Sequence, residues 1–134
     1  RQPHIRLINR DPDSGTRHLF DQLLARHKID GSKIDGYDRI EFTHPAVAAF
    51  VASDMADVCF GVEAAARQFD LEFIRLATED YLFVCRKQTL ETVAVQRILA
   101  IMKSEEFLSA IAKLPGYKSI DCGSVKTIAE AFCL

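Results

Sequence analysis

The chain has no long apolar run, no block of like charges and no motif of a common catalytic family, and each absence removes a class of function. No stretch approaches the ~18 consecutive apolar residues of a membrane span, and the first residues lack the charged, apolar and small-residue succession of a secretory signal. The formal net charge is −2 and no five like charges run together, so no field draws nucleic acid or an anionic membrane surface. Cys59, Cys85, Cys122 and Cys133 form no C-x-x-C, and no histidine stands at zinc-finger spacing, which argues against a metal centre. Dispersed thiols fit a reducing cytoplasm, with Cys59 and Cys85 as small buried hydrophobes inside apolar strands. There is no P-loop, no G-x-G-x-x-G, no H-E-x-x-H, no paired-carboxylate motif and no G-x-S-x-G elbow to activate Ser14 with His44 and Asp57. Catalysis by this chain and a resident cofactor are therefore not expected.

What is present is an ordinary globular composition: 134 residues, 49% hydrophobic and 27% charged. His4 to Arg10 alternates as a strand, and Thr16 to His27 places Leu19, Phe20, Leu23 and Leu24 on one helical face. Gly31 and Gly36 mark a loop over 29–38 with room for one helical turn. A short strand over 39–42 then leads to Thr43, a good N-cap, with Pro45 in the first turn of a helix ending near Ser53. Ala56 to Phe60 reads as a buried parallel strand, Gly61 ends it, and Val62 to Phe69 reads as a helix. Two further strands are expected at Leu71 to Ala77 and Tyr81 to Cys85, then helices at Leu90 to Met102, Glu105 to Leu114 and Val125 to Phe132, with Ser104 as a cap. Alternating strands and helices predict an α/β domain with a mainly parallel sheet flanked by helices.

The most chemical segment is Asn9 to Arg17, where a strand breaks at Ser14-Gly15-Thr16-Arg17 into a helix. A helix start carries unpaired amides and partial positive charge and so attracts anions. Ser14 and Thr16 add hydroxyl donors, Gly15 allows close backbone approach, and Arg17 adds a guanidinium. The same residues also read as a plain N-cap at Asp13 or Ser14 beside a solvated Arg17. In an open α/β sheet the ligand crevice lies beyond the carboxyl ends of the strands. Thr43-His44 and Gly61-Val62-Glu63 occupy equivalent junctions, so the candidate set is Ser14, Gly15, Thr16, Arg17, Thr43, His44, Gly61, Val62 and Glu63. Charge-assisted hydrogen bonds of about 1.5–3 kcal/mol each make such a set sufficient for a small oxyanion. Asp11, Asp13 and Glu63 oppose it, and a pair between Arg17 and Asp13 would leave a structural or dimerising domain with no ligand.

Ile8-Asn9-Arg10 with Ser14-Gly15-Thr16-Arg17, Thr43-His44 before Ala46-Val47-Ala48-Ala49, Ala56-Asp57 to Gly61-Val62-Glu63-Ala64-Ala65-Ala66, and Leu114-Pro115-Gly116-Tyr117 together resemble the type II periplasmic binding protein superfamily. The closer similarity is to its cytoplasmic branch, fused to helix-turn-helix regulators or molybdopterin biosynthesis proteins. The resemblance implies one lobe of a bilobal, three-layer α/β/α fold that closes on a ligand. Residues 1–123 would supply the second lobe and its C-terminal helices, and 124–134 a helical tail whose Ile128, Phe132 and Leu134 pack on the body or on a partner. It also implies an oxyanion such as molybdate or tungstate on Ser14, Gly15, Thr16 and Arg17, with Thr43 and His44 as secondary contacts. A pterin-linked or organic ligand of a cofactor-synthesis enzyme is the alternative. Asp54-Met55 departs from the family pattern, which favours a small residue with Gly there. The opening at Arg1 leads to the expectation of a piece of a longer chain, with a missing N-terminal lobe as partner and a homodimer as another way to cover the half-cleft.

Overall fold

The computed structural model describes residues 4–132. The chain divides into two compact units, one up to Leu76 and one from Ala77. In the first unit, β1 (Leu7–Arg10) leads through a turn into α1 (Gly15–Arg26), and a single 3-10 turn at Gly31–Lys33 precedes β2 (Ile40–Glu41). α2 (His44–Ala52), β3 (Val58–Cys59) and α3 (Glu63–Gln68) follow. The three strands form a parallel sheet in the order β2-β1-β3, with Asn9 opposite Ile40 and Ile8 opposite Cys59. Going from β1 to β2 and then back past β1 to β3 reverses direction across the sheet. Right-handed crossovers therefore send α1 and α2 to opposite faces, and the expected parallel sheet flanked by helices is what forms.

Burial explains why β1 is central. All four of its residues are buried, and Ile8 packs with Val47 of α2 and Ala56, with Phe50, Val51 and Cys59 closing around them. The helix starts follow local chemistry: the Ser14 hydroxyl accepts from the Arg17 amide at 3.1 Å, and the Thr43 hydroxyl from the Ala46 amide at 3.2 Å. The helix ends share one device. Lys28, Asp54 and Asp70, just past α1, α2 and α3, each adopt a left-handed backbone, with φ of 57°, 58° and 54°. In each case the next amide reaches back to the helix, Ile29 to the Leu24 carbonyl, Met55 to Phe50 and Leu71 to Ala66, the Schellman closure. Gly36 also has positive φ, and a Cβ there would run into the Leu7 carbonyl.

The amino ends of β1 and β3 are tied by charge. Asp57 accepts from the Arg6 backbone amide at 2.7 Å and from its guanidinium at 2.9 and 3.0 Å. Asp57 thus lies at the end of the sheet opposite to Ser14 and His44, and the three make no catalytic triad.

Several expected elements differ. The segments 71–77 and 81–85 pair with no strand among the described residues. A strand needs a neighbour to take its amides and carbonyls, and sequence alternation cannot provide one. Most of their side chains stand exposed, including Ile74, Leu76, Phe83 and Val84, with Leu71 and Phe73 half-buried. Cys85 is accordingly exposed rather than buried, Cys59 and Cys122 are half-buried, and Cys133 lies outside the described residues. In the second unit a 3-10 segment at Lys87–Glu91 takes the start expected for the next helix, α4 (Val93–Lys103). α4 packs against α5 (Glu105–Ala112), which begins at Ser104 as expected, its hydroxyl accepting from the Phe107 amide. α6 is confined to Ile128–Phe132, capped by reciprocal bonds between Thr127 and Glu130, and Leu134 of the expected tail contact lies outside the described residues.

Candidate functional site

The order β2-β1-β3 puts the topological switch between β1 and β3, where crossovers leave in opposite directions and their loops part. At the carboxyl ends of these strands lie Arg10, which ends β1, and Gly61, which follows β3. α2 begins alongside them with His44.

Arg10 is the unusual residue. It is 8% exposed, and its Nη2 donates to the Phe42 carbonyl at 3.0 Å and lies 3.6 Å from the Asp11 carboxylate. Its Nε and Nη1 are buried with no hydrogen-bond partner. His44 Nδ1 shares that condition, and no other side-chain nitrogen or oxygen among the described residues does. Burial first, and the Arg10 charge second, push the His44 ring below its ordinary 6.5, which also places the two groups within electrostatic reach. Gly61 presents its bare Cα to the ring: a Cβ there would stand 3.5 Å from His44 Nδ1. A buried donor without a partner costs about 1–3 kcal/mol, more when charged, so the fold carries a standing penalty that an acceptor would remove.

The other expected residues divide. Ser14 is the N-cap: its hydroxyl donates to the Asp11 carbonyl at 2.9 Å while accepting from Arg17. Gly15 and Thr16 open α1, where first-turn amides have no intrahelical acceptor. Thr43 is an exposed cap of α2. Arg17 does not point its donors outward. Its Nε is 3.1 Å from both oxygens of Asp21, its Nη1 donates to the Arg10 carbonyl, and the guanidinium lies 4.1 Å from the centre of the Tyr37 ring, whose hydroxyl also donates to Asp21. Arg17 is therefore neither a solvated side chain nor paired with Asp13; it braces α1 against β1. Val62 caps α3 without a side-chain bond, and Glu63 pairs with Arg67 at 3.4 Å and Arg75 at 3.7 Å, which occupies its carboxylate.

Sequence reasoning missed Arg10 as a site residue. The available signal was a cation closing a strand of otherwise uncharged, buried residues, immediately before a Ser-Gly-Thr turn. No group of three metal-ligating side chains occurs among the described residues, and no helix there is long and apolar enough to cross a membrane.

The chain is 32% identical over 121 residues to the uncharacterized protein YvgK of Bacillus subtilis, covering 90% of this chain and 39% of that one. It thus spans about two fifths of that relative's length. It is also 33% identical over 110 residues to an uncharacterized protein in the ferredoxin 2Fe-2S gene 5′ region of Clostridium pasteurianum, covering 81% of this chain and 97% of that one. No solved structure matches the chain. Residues 1–103 match the PBP superfamily domain, and with the parallel sheet and its strand-end site on the page, the chain belongs to the periplasmic binding protein-like superfamily.

Proposed function

We propose that the first unit binds a small oxyanion of the molybdate, tungstate, sulfate and phosphate class at the carboxyl ends of β1 and β3, without catalysis. A periplasmic binding protein-like domain is in general a ligand-binding module. The observation that carries the anion reading is the buried Arg10 guanidinium whose Nε and Nη1 meet no acceptor. His44, at the start of the nine-residue α2, lies within its electrostatic reach, and the first-turn amides of Gly15 and Thr16 open the helix that follows β1. An oxyanion offers several acceptors at once, whereas a neutral organic ligand would leave the guanidinium charge without a counterpart. Asp11 meets Arg10 only at Nη2, 3.6 Å away, so Nε and Nη1 remain for the acceptors of a ligand. Molybdate or tungstate is the favoured member on the resemblance to the molybdenum-related branch, in a sensing or storage role within a longer chain.

A thermal-shift panel on the full-length protein tests this. A ligand at 100 times its Kd stabilises by about 2.7 kcal/mol. At least one of the four oxyanions is expected to shift the transition, and Arg10→Met, which removes the guanidinium and keeps an apolar chain in its buried space, is expected to abolish the shift. No shift with any oxyanion, or an unaltered shift in Arg10→Met, overturns the reading.

A further inference from the structure

The site just described has one titratable group whose charge is not settled by a protein partner. His44 is half-buried at the start of α2, its Nδ1 is buried and unpartnered, and Gly61 is the residue beside that nitrogen, with no side chain to cover it. β1, β2, β3 and α3 pack against α2. From β1 comes Arg10, with Asp11 just beyond it and occupied by it. Glu41 ends β2. From β3 comes the Cys59 thiol, which burial pushes up and so keeps neutral. From α3 come Glu63, held by Arg67 and Arg75, and Arg67 itself. Among the described residues no carboxylate bonds to the His44 ring, and burial first and the Arg10 charge second favour its neutral form in the free site.

Resting on the oxyanion reading, we propose that His44 sets the charge the site accepts: a doubly charged oxyanion between Arg10 and His44 draws a proton onto the imidazole, so dianions are bound in preference to monoanions. The physical cause is reciprocal. A dianion cancels the Arg10 field, supplies an acceptor in front of Nδ1 and adds a negative charge, each favouring the imidazolium. The proton comes from solvent and stays on the ring; no covalent bond changes. A monoanion brings one negative charge fewer and gives the ring less cause to ionise. Because ligand and proton favour each other, affinity for a dianion falls as pH rises between the pKa of the free and of the liganded ring, by up to about tenfold per pH unit.

Calorimetry of the full-length protein with sodium molybdate, sodium sulfate and sodium nitrate, in buffers of different ionisation enthalpy at pH 6.5 and 7.5, reads both quantities. All three anions keep a fixed charge in that range. The expected result is uptake approaching one proton with molybdate or sulfate, a Kd that rises up to about tenfold between the two pH values, and no measurable competition by nitrate. His44→Gln is expected to remove the proton uptake and flatten the pH dependence. Molybdate or sulfate binding with no proton uptake, or nitrate competing as well as sulfate, overturns the charge-selection role and leaves the oxyanion site standing. No binding of either dianion at both pH values overturns the oxyanion reading itself. The wild-type proton count needs no variant, so the outcome does not depend on whether His44→Gln folds.

Discussion

Arg10 and Arg17 differ by seven positions and by the partners the fold gives them. Both are buried, but Arg17 has a carboxylate, a carbonyl and an aromatic face arranged around it, while two nitrogens of Arg10 have nothing. Removing Arg17 should therefore be a stability event. Arg17→Ala leaves Asp21 and the Arg10 carbonyl without their donor and strips the Tyr37 ring, and is expected to cost about 2–3 kcal/mol in urea unfolding. The same variant should keep the oxyanion shift that Arg10→Met loses. A motif read by composition alone weighs the two arginines the other way, because the Ser-Gly-Thr-Arg turn advertises Arg17. What decides their roles is which of them the fold surrounds with acceptors, and those acceptors, Asp21, Tyr37 and Phe42, come from four to thirty-two positions away.

Elements with a local cause were legible in the sequence. α1, α2 and α5 begin where Ser14, Thr43 and Ser104 offer a hydroxyl to an amide three residues on, a relation written within one turn. The strands expected at 71–77 and 81–85 pair with nothing among the described residues, because pairing is a property of two segments and the alternation reports only one of them. The helix ends fall between. Asp54 was noticed as a departure from a Gly-favouring pattern, and its positive φ gives the reason: it stands in the left-handed position of the α2 closure. Lys28 and Asp70 repeat that situation. An L-residue there costs roughly 1–2 kcal/mol relative to glycine in backbone sterics, offset in part by the greater freedom of glycine in the unfolded chain. Asp70, which makes no ion pair, gives the clean test. Asp70→Gly is expected to stabilise the first unit by about 0.5–1 kcal/mol, seen as a higher urea midpoint at unchanged m-value.

At the scale of the molecule, the sheet has two unlike ends. The carboxyl ends of β1 and β3 gather the unpartnered groups, and the amino ends are fastened by Arg6 and Asp57. The Arg6 guanidinium, with its backbone amide, holds the Asp57 carboxyl at about 2 against an ordinary 3.8. A carboxyl depressed in the folded state contributes stability that is complete above its unfolded pKa and is lost as pH falls through the folded one. Acid unfolding between pH 4 and 2 should therefore be shallower in Asp57→Asn, which is less stable than wild type at pH 7 and approaches it at pH 2, by circular dichroism.

Gly61 gives this architecture an unusual freedom. Its backbone is outside the left-handed region, and a methyl group there would meet the His44 ring at ordinary contact distance. No steric rule of the scaffold demands glycine at that position, yet each added carbon would enter the space before Nδ1. On the proposed site, a change of this one codon would alter the room beside His44 and leave the sheet, the caps and the charges as they are. Such a change would need no compensating substitution elsewhere in the fold.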